Sequence, residues 1–342
     1  MAEQTTIAAA LQDKIDAKDA LKTVFNRMAI PINDTHKLSE YAGLLTANLR
    51  TWIRPADWLQ IDNLVIDGEQ KIVGLHAVYP TVNTAGMTNA VAIQVTGDHT
   101  IDWGDGVVEN FASNAIAEHI YDYDDLAGTE CTRGYRQAIV TITPQTGSNI
   151  TSFNFGKKHS SVVFGRISSQ WLDVYVSGTE LTTFRFYDAS YPNLLENIKV
   201  YQVTNKCTSC IYMFQNCYSL QYLDLSSFNT ASVTSMYYMF SNCNSLQFID
   251  LSNTVLNAVT SQSDFNNFTK DTTSLIKCRL PQVKWSFSVA NNPLDATELN
   301  LLFSDLADLT GTDAQTLTIT GCTGAATCDK TIATNKNWII AG

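Results

Sequence analysis

Two segments of this chain repeat each other without a gap, and no other feature limits the fold as strongly. Residues 212–226 align with residues 238–252, so that Met213, Cys217 and Leu220 each recur 26 residues later. Each copy spaces three apolar residues as Leu-x-x-Leu-x-Leu or a close variant, which predicts a short strand that turns alternate side chains toward a core. Because one such unit cannot bury its own apolar face, the copies are expected to stack into an array.

Weaker copies of the same pattern extend the predicted array over residues 146–342. They begin at Ile150, Trp171, Leu181, Leu195 and Leu275. The step from 171 to 181 is too short for both copies to be full coils, and about six or seven coils are expected in all. We also expect a helix over residues 296–306 and a closing strand over residues 316–320, because the last unit must cover an open apolar end.

The repeated text resembles the BspA-type leucine-rich repeat over residues 207–253. It reads Met-Phe-x-x-Cys-x-Ser-Leu-x-x-Leu-Asp-Leu-Ser-x-Phe-Asn-Thr and then Ser-Val-Thr-Ser-Met-x-x-Met-Phe. Its period also lies within the roughly 20–29 residues of leucine-rich repeats. The resemblance implies a solenoid, and such repeats occur in bacterial surface proteins and phage structural proteins, where their usual role is binding.

The segment before the array, residues 59–145, has the pattern of a small β-domain. Strand-like runs are expected near residues 72–78, 91–95, 100–103 and 137–143. Four or five strands in so short a stretch are enough for a β-sandwich.

Part of this segment resembles the PKD-type immunoglobulin-like sandwich. The residues that carry the resemblance are Trp103, Gly104, Asp105 and Gly106, followed by His119 and Tyr121. The resemblance implies a structural role for all six, with Trp103 as the core tryptophan. The sequence departs from the family at Gly134-Tyr135, which stands for the usual Gly-x-Tyr and follows an insertion over residues 122–133.

Residues 1–58 are expected to form a helical hairpin and a linker. Apolar residues recur at helical spacing over residues 4–29, Pro31 ends that helix, and a second short helix is expected over residues 38–45. Helices this short are not stable alone, so the hairpin is expected to dock on another element or another protein.

The whole arrangement resembles the tail, fibre and other appendage proteins of tailed bacteriophages. The resemblance rests on Leu-Ser-Glu-Tyr-Ala-Gly-Leu-Leu at residues 38–45, Trp-Ile-Arg-Pro-Ala-Asp-Trp at residues 52–58, and the PKD-like segment after them. It implies that residues 1–58 attach the chain to other virion proteins and that the chain forms a homo-oligomer. It also implies a virion location after synthesis in the host cytoplasm.

Charge and hydropathy argue against two classes of partner. The formal net charge is −11, so the chain lacks the basic surface of a nucleic-acid-binding protein and is not attracted to anionic membranes. No run of 18 apolar residues predicts a membrane-spanning helix, and the first residues lack the basic and apolar regions of a secretory signal. We expect no nucleic-acid partner and no membrane insertion.

The cysteines could hold a metal, but packing is the favoured role. Cys207 and Cys210 have the spacing of half a zinc ribbon, yet a second close pair is missing. Cys217 and Cys243 occupy equivalent positions in two repeats, as buried thiols that pack would. A metal site or a disulfide remains the alternative, and Cys322 with Cys328 is another candidate disulfide pair.

An acidic cluster in the predicted sandwich could bind calcium through its carboxylates. Its members are Asp102, Asp105, Asp122, Asp124 and Asp125. Their spacing fits no known calcium loop, and Asp-Gly pairs are chiefly turn signals, so turn formation is favoured. We predict no metal and no cofactor.

The sequence offers little that points to catalysis. The histidines are His36, His76, His99, His119 and His159, and they lie in no spacing typical of a triad or a metalloenzyme. A glycosidase with paired carboxylates stays open, since its two acids can lie far apart in sequence. Because repeat scaffolds more often bind than cut, we predict that the chain is not an enzyme.

The predicted binding surface is the outward face of the repeat strands. Its residues are Tyr175, Arg185, Asn197, Lys199, Tyr222, Asp224, Phe248, Asp250, Lys277 and Arg279, with Asp173 and Thr183 on the same face. Aromatic rings can stack on a partner while charges orient it. The partner could equally be a host-surface glycan or protein, or a neighbouring subunit in the particle.

These observations together predict a mainly β protein with minor α structure: a helical hairpin, a PKD-like sandwich and a leucine-rich repeat solenoid. The predicted function is that of a non-enzymatic structural or adhesive protein of a phage virion, of the tail-fibre, baseplate or head-decoration type. The alternative is a bacterial cell-surface adhesin with leucine-rich repeats, and a carbohydrate-active enzyme is a weaker third hypothesis.

Overall fold

The structure, a computed structural model, describes most of the chain beyond residue 52. The described residues are 53–61, 63–64, 69–80, 89–161, 170–186, 194–201, 203, 206–225, 227–251 and 256–342. The chain divides into two compact units, Met1–Pro55 and Ala56–Gly342. The predicted helical hairpin belongs to the first unit and lies outside the described residues.

The second unit is mainly β with few helices, as predicted. Its strands are β1 (Lys71–Val78), β2 (Ala90–Thr96), β3 (His99–Asp102), β4 (Val108–Phe111), β5 (Ile116–Ile120), β6 (Arg136–Pro144), β7 (Ser152–Asn154), β8 (Trp171–Ser177), β9 (Thr183–Arg185), β10 (Asn197–Tyr201), β11 (Tyr222–Asp224), β12 (Phe248–Asp250), β13 (Lys277–Arg279), β14 (Phe287–Ser288), β15 (Gln315–Thr318) and β16 (Trp338–Ala341). The described helices are α1 (Ala296–Asp305), α2 (Thr331–Thr334) and two 3₁₀ turns, Asp124–Leu126 and Gln262–Asp264.

Two sheets run through the first half of this unit. One has the order β11-β10-β8-β1-β6-β3-β4, and the other has the order β5-β2-β7-β9. In the first sheet β1 pairs antiparallel with both β6 and β8, while β10 pairs parallel with β8 and β11. In the second sheet β2 pairs antiparallel with β7, and β7 pairs parallel with β9. The boundary predicted between residues 145 and 146 thus falls inside two continuous sheets.

A short segment at the start of this unit is held along β6. Trp58 is buried and its indole Nε1–H donates to the Tyr135 hydroxyl at 3.0 Å. The Gln137 amide binds the same segment on both sides of Trp58. Its Nε2 donates to the Asp57 carbonyl, and its Oε1 accepts from the Leu59 N–H. Predicted as part of a linker, the segment after Pro55 packs as part of the β unit.

Most of the predicted repeat strands form a parallel ladder, which we call the strand ladder. The copies that begin at Ile150 and Leu181 instead correspond to β7 and β9 in the second sheet. The strand ladder consists of β8, β10 and β11 in one sheet and of β12 with β13 further along the chain. The ladder is in register, so that Lys199 lies beside Asp224 and Phe248 lies beside Lys277. Each strand falls where the three-residue apolar pattern predicts it.

A second ladder, built from turns, runs beside the first, and we call it the turn ladder. It consists of residues 208–216, 234–242, 262–270 and 286–291. Backbone N–H groups of one rung donate to carbonyls of the next, as from Phe214 to Met239 and from Phe240 to Phe268. Side-chain bonds join the third rung to the fourth, as where the Thr269 hydroxyl donates to the Ser288 carbonyl at 2.6 Å.

Left-handed backbone positions recur with the repeat in the turn ladder. Tyr212 and Tyr238 have φ of 56° and 53°, and Asn216 and Asn242 have φ of 60° and 61°. Asparagine tolerates this conformation better than most residues, while a tyrosine there is strained by roughly 1–2 kcal/mol. The Asn242 side-chain N–H₂ also donates to Asn216 Oδ1 at 2.7 Å, which links the two rungs.

A single apolar core fills the space between the ladders. Phe186, Phe214 and Phe240 stack nearly parallel, with centroid separations of 5.9 and 5.5 Å, and Phe268 meets Phe240 edge to face at 5.1 Å. This core continues without interruption from β1 to Trp338 near the end of the chain. Stacked rings of this kind are expected where one repeat covers the next.

The cysteines of the repeats belong to this core. Cys217 and Cys243 are fully buried, and the Cys243 thiol donates to the Phe214 carbonyl at 3.1 Å. None of the eight cysteines, all of which lie in described segments, forms a disulfide, and this includes Cys322 and Cys328. Among the described residues no group of three or more His, Cys, Asp or Glu side chains is arranged to hold a metal ion. Packing is the role that the structure gives these residues.

The array ends in a helix and three further parallel strands. α1 begins after Asp295, whose carboxylate accepts the Glu298 N–H at 2.9 Å, and it buries Leu299, Leu302 and Phe303. The predicted closing strand corresponds to β15, which β14 and β16 flank in the order β14-β15-β16. The end of the apolar core is thereby covered, as an array requires.

Candidate binding surfaces

Four residues of the PKD-like motif, Trp103, Asp105, His119 and Tyr121, meet in one largely buried cluster. Trp103 is fully buried, and the His119 ring stacks on it with 4.8 Å between centroids. His119 Nε2 lies 2.6 Å from an Asp105 oxygen, and the Tyr121 hydroxyl donates to the Trp103 carbonyl at 3.0 Å. These contacts hold one edge of the first sheet against the second, so the motif acts in packing.

The glycines of this motif meet different needs. At Gly104, where φ is 83°, a Cβ would lie 2.4 Å from the Ile139 carbonyl oxygen, so only glycine fits. Gly106 also has positive φ, at 94°, but a side chain there would meet nothing. The first glycine permits close approach of two strands, and the second permits the turn.

Three of the five acidic residues considered for calcium cap turns. The Asp102 carboxylate accepts the Gly104 N–H at 3.0 Å, and the Asp105 carboxylate accepts the Val107 N–H at 3.1 Å. The Asp122 carboxylate accepts the Asp124 N–H at 2.9 Å. Each bond spans two residues, which is the Asx-turn geometry, and it favours the turn-forming role over a calcium cage.

Four residues of the predicted outward strand face are not on the surface. Asp173, Tyr175, Asn197 and Tyr222 are buried, so the expectation that they face solvent is wrong. The reason is their place in the wide sheet, where all seven residues of β8 are covered. Asn197 Nδ2 donates to Asp173 Oδ1 at 2.5 Å, and the Lys199 ammonium lies 5.0 Å from the centre of the Tyr175 ring.

The remaining residues of that face are at least partly exposed, and several charges pair with each other. The strand ladder keeps Lys199, Asp224, Phe248, Asp250, Lys277 and Arg279 at or near the surface. Arg185 and Thr183, which were expected on the same face, lie on β9 in the other sheet, because β9 pairs with β7. Lys277 Nζ lies 2.9 Å from an Asp250 oxygen. Arg279 donates two bonds to Asp305, at 2.6 and 2.7 Å, and these bonds raise the pKa of the guanidinium above its usual value. A charged ligand would have to compete with partners inside the chain.

The turn ladder presents a cluster of three tyrosines that the strand pattern does not reveal. The Tyr237 and Tyr238 rings lie 4.5 Å apart, and the Tyr212 ring lies 5.6 and 5.8 Å from them. All three are half-buried. Desolvation and the neighbouring hydroxyls raise the pKa of Tyr237. The Lys270 ammonium lies 5.9 Å from the centre of the Tyr238 ring and joins this cluster to the next rung.

Beside the tyrosines lies a cleft of about 510 Å³ between the last two rungs of the turn ladder. Amide and hydroxyl side chains make up most of its wall, among them Asn244, Gln262, Asn266, Asn267, Asn291 and Thr318. Of the described residues that line it, Lys270 and Asp271 alone are charged. A volume of this size is in the range of small-molecule sites, though the wall is more polar than most.

Hydrogen bonds within the chain fix part of the polar wall of the cleft. Gln262 Nε2 donates to the Ser286 carbonyl at 3.0 Å and to Asn266 Oδ1 at 2.8 Å, while its Oε1 accepts the Ser286 N–H at 2.8 Å. The Asn267 and Asn291 side chains stand exposed at the rim, both on left-handed backbone with φ of 56° and 60°. Sequence reasoning missed them because they lie in turns, although the 26-residue recurrence of Asn216 at Asn242 marks the same ladder.

Comparison with known protein families gives a match over residues 180–278. This segment, under a third of the chain, is similar to the family described as "Mycoplasma protein of unknown function, DUF285". It spans β9, the strand ladder from β10 into β13, and most of the turn ladder. No curated protein and no solved structure matches the chain. No helix within the described ranges is long and apolar enough to cross a membrane.

Proposed function

We propose that this chain is a non-enzymatic structural and adhesive protein of a bacteriophage virion. Its N-terminal region would attach it to other virion proteins, and its repeat region would present a surface for binding to the host or to a neighbouring copy. The proposal keeps a virion location after synthesis in the host cytoplasm, and it includes no cofactor and no nucleic acid. The observation that carries it is the pair of ladders, which together expose an extended surface on a rigid scaffold.

The proposal includes the finer architecture of the β unit. Residues 146–342 are taken as a leucine-rich repeat solenoid of the BspA type, supported by the in-register parallel rungs and the continuous stack of phenylalanines. Residues 59–145 are taken as a PKD-like sandwich, supported by the cluster around Trp103 and by the two sheets. A solenoid grown directly on a sandwich would form one rigid support for its binding surface.

The second candidate is a bacterial cell-surface adhesin built on the same repeats. The observation that favours it is the similarity of residues 180–278 to a Mycoplasma family, since mycoplasmas are bacteria. Both candidates use the repeats for binding. They differ in where the protein resides, which makes location the deciding measurement.

Immunogold electron microscopy locates the protein directly. An antibody raised against residues 256–342 is applied to lysates of cells that express the native gene cluster, with a lysate from cells lacking this gene as the control. The virion proposal predicts gold on the tail or capsid of phage particles. Gold on cell envelopes beside unlabelled particles would contradict it and support the adhesin.

A further inference from the structure

We propose that the cleft of the turn ladder binds a neutral oligosaccharide, and that the tyrosine cluster beside it holds a further sugar unit. The inference rests on the proposed function, because it names the partner class and the surface of an adhesive protein. It places that surface on the turn ladder, whereas the sequence pattern points to the strand ladder.

The wall of the cleft has the chemistry that sugar hydroxyls need. Each side-chain amide offers two donor hydrogens and an acceptor oxygen, so a pair of amides can satisfy neighbouring hydroxyl groups that both donate and accept. At the rim, no described group forms a hydrogen bond with the side chains of Asn267 or Asn291. An apolar peptide placed there would leave these amides without partners, which is unfavourable.

The charge of the wall favours a neutral ligand over an acidic one. Lys270 and Asp271 carry opposite charges, so the described lining has no net charge at neutral pH. The whole chain is acidic, with a formal net charge of −11. A polysaccharide rich in carboxylate or sulfate would therefore meet repulsion at long range and no basic cluster among the described residues of the cleft.

The cleft is also formed before any ligand arrives. Gln262 is fixed by three hydrogen bonds, and Thr269 is fixed by its bond to the Ser288 carbonyl. Because the supporting side chains are already ordered, binding costs less conformational entropy than it would on a loose loop.

The tyrosine cluster extends the site by one rung. The Tyr238 N–H donates to the Asn266 carbonyl at 3.2 Å, so the ring cluster and the cleft wall share a backbone contact. Lys270 both lines the cleft and approaches the Tyr238 ring. Half-buried phenol rings combine an apolar face for C–H groups with a hydroxyl at the edge, which suits a sugar that continues out of the cleft.

The test applies the full chain to an array of immobilised oligosaccharides. The array carries neutral chains of glucose, galactose, mannose and N-acetylglucosamine, together with sialylated, sulfated and uronic-acid chains. We expect binding to at least one neutral chain and weaker or no binding to the acidic ones. Binding to none of the array, or to acidic chains alone, would overturn the inference.

Two substitutions test whether the ligand binds in the cleft. Asn267→Gly and Asn291→Gly remove an amide while keeping a residue that accepts positive φ, and each is expected to raise the Kd for the bound chain about three- to tenfold. The matched control is Gln282→Gly, which removes an exposed amide from a left-handed position, with φ of 58°, outside the cleft. Equal Kd values for the unsubstituted chain and all three variants would contradict the assignment of the cleft.

The oligosaccharide array and the immunogold microscopy test separate claims, so one claim can be refuted while the other stands. Gold on phage particles with no bound sugar would refute this inference and leave the virion proposal standing. Sugar binding that the cleft variants weaken, with gold on cell envelopes, would support the inference and refute the virion proposal.

Discussion

The two ladders are built from the same repeat, whose two best-matched copies lie 26 residues apart, yet they differ in how their outward polar groups are paired. On the strand ladder, Lys277 pairs with Asp250 and Arg279 pairs with Asp305. On the turn ladder, the polar groups at the rim are mostly amides and hydroxyls, and the side chains of Asn267 and Asn291 stay open to solvent. In-register strands bring side chains of successive rungs together, so opposite charges meet. In the first two rungs of the turn ladder Asn216 and Asn242 bond to each other, whereas Asn267 and Asn291 in the last two rungs stay available to a partner.

The largest expected effect concerns the core that both ladders share. Phe240→Ala removes a fully buried ring that stacks on Phe214 and meets Phe268, and it should lower the free energy of unfolding by about 3–5 kcal/mol. Phe248→Ala removes a half-buried ring from the outer strand face and should cost about 1 kcal/mol. Urea denaturation of the two variants measures both values. Similar losses would show that the stacked rings do not dominate the stability of the array.

The strand positions were predictable from sequence because the signal for them is local. The copies that begin at Leu195 and Leu220 correspond to β10 and β11, since three apolar residues at fixed spacing suffice to define a short strand against a core. The closing helix and strand follow from the same reasoning about an open apolar end.

Exposure of the outer strand face was not predictable in the same way. Tyr175 is buried because its strand pairs with β1, where Val73 lies opposite it, and tertiary structure alone fixes a pairing between segments so far apart in sequence. Asn197 lies in the same wide sheet and is buried, while Asp250, in a later rung, is exposed. The cleft residues lie in turns, where no period-two pattern exists to find them. Their signal is the recurrence of left-handed asparagines, which the apolar pattern does not include.

The next largest effect is a pH dependence of the free energy of unfolding. It comes from His76 on β1, the strand that pairs with β8 of the strand ladder. His76 is fully buried between Tyr121 and Trp171, and neither ring nitrogen has a hydrogen-bond partner among the described residues. Burial first, and then the nearby His119, lowers the pKa of His76 from 6.5 to about 3. The unfolded chain therefore takes up a proton below pH 6.5 that the folded chain does not, so the stability present above pH 6.5 is lost as the pH falls toward 3.

The His76 contribution should lower the free energy of unfolding by about 2 kcal/mol as the pH falls from about 7.5 to 5. His76→Phe keeps a ring in the site and removes the titrating group, so its unfolding free energy should change less over the same range. The difference between the two pH profiles is the measurement, since a constant offset from altered packing cancels. Parallel profiles would mean that His76 does not titrate on unfolding as described.

The smallest expected effect compares two ion pairs of the strand ladder. Asp305→Ala leaves the partly buried Arg279 without its two-bond partner and should lower the free energy of unfolding by about 1–2 kcal/mol. Asp250→Ala removes a more exposed carboxylate beside Lys277 and should cost less than about 0.5 kcal/mol. Chemical denaturation at low and high salt gives both values. An Asp250→Ala loss as large as that of Asp305→Ala would show that exposure does not separate the two pairs.

The central claim is that the turn ladder is the binding surface, whereas charged side chains of the strand ladder pair with other residues of the same chain. Hydrogen–deuterium exchange on the full chain, with and without a saturating neutral oligosaccharide chosen from the array, tests it most directly. We predict slower exchange in peptides covering residues 262–273 and 286–291, and unchanged exchange over residues 222–224, 248–250 and 277–279. Protection confined to the strand ladder would contradict the claim.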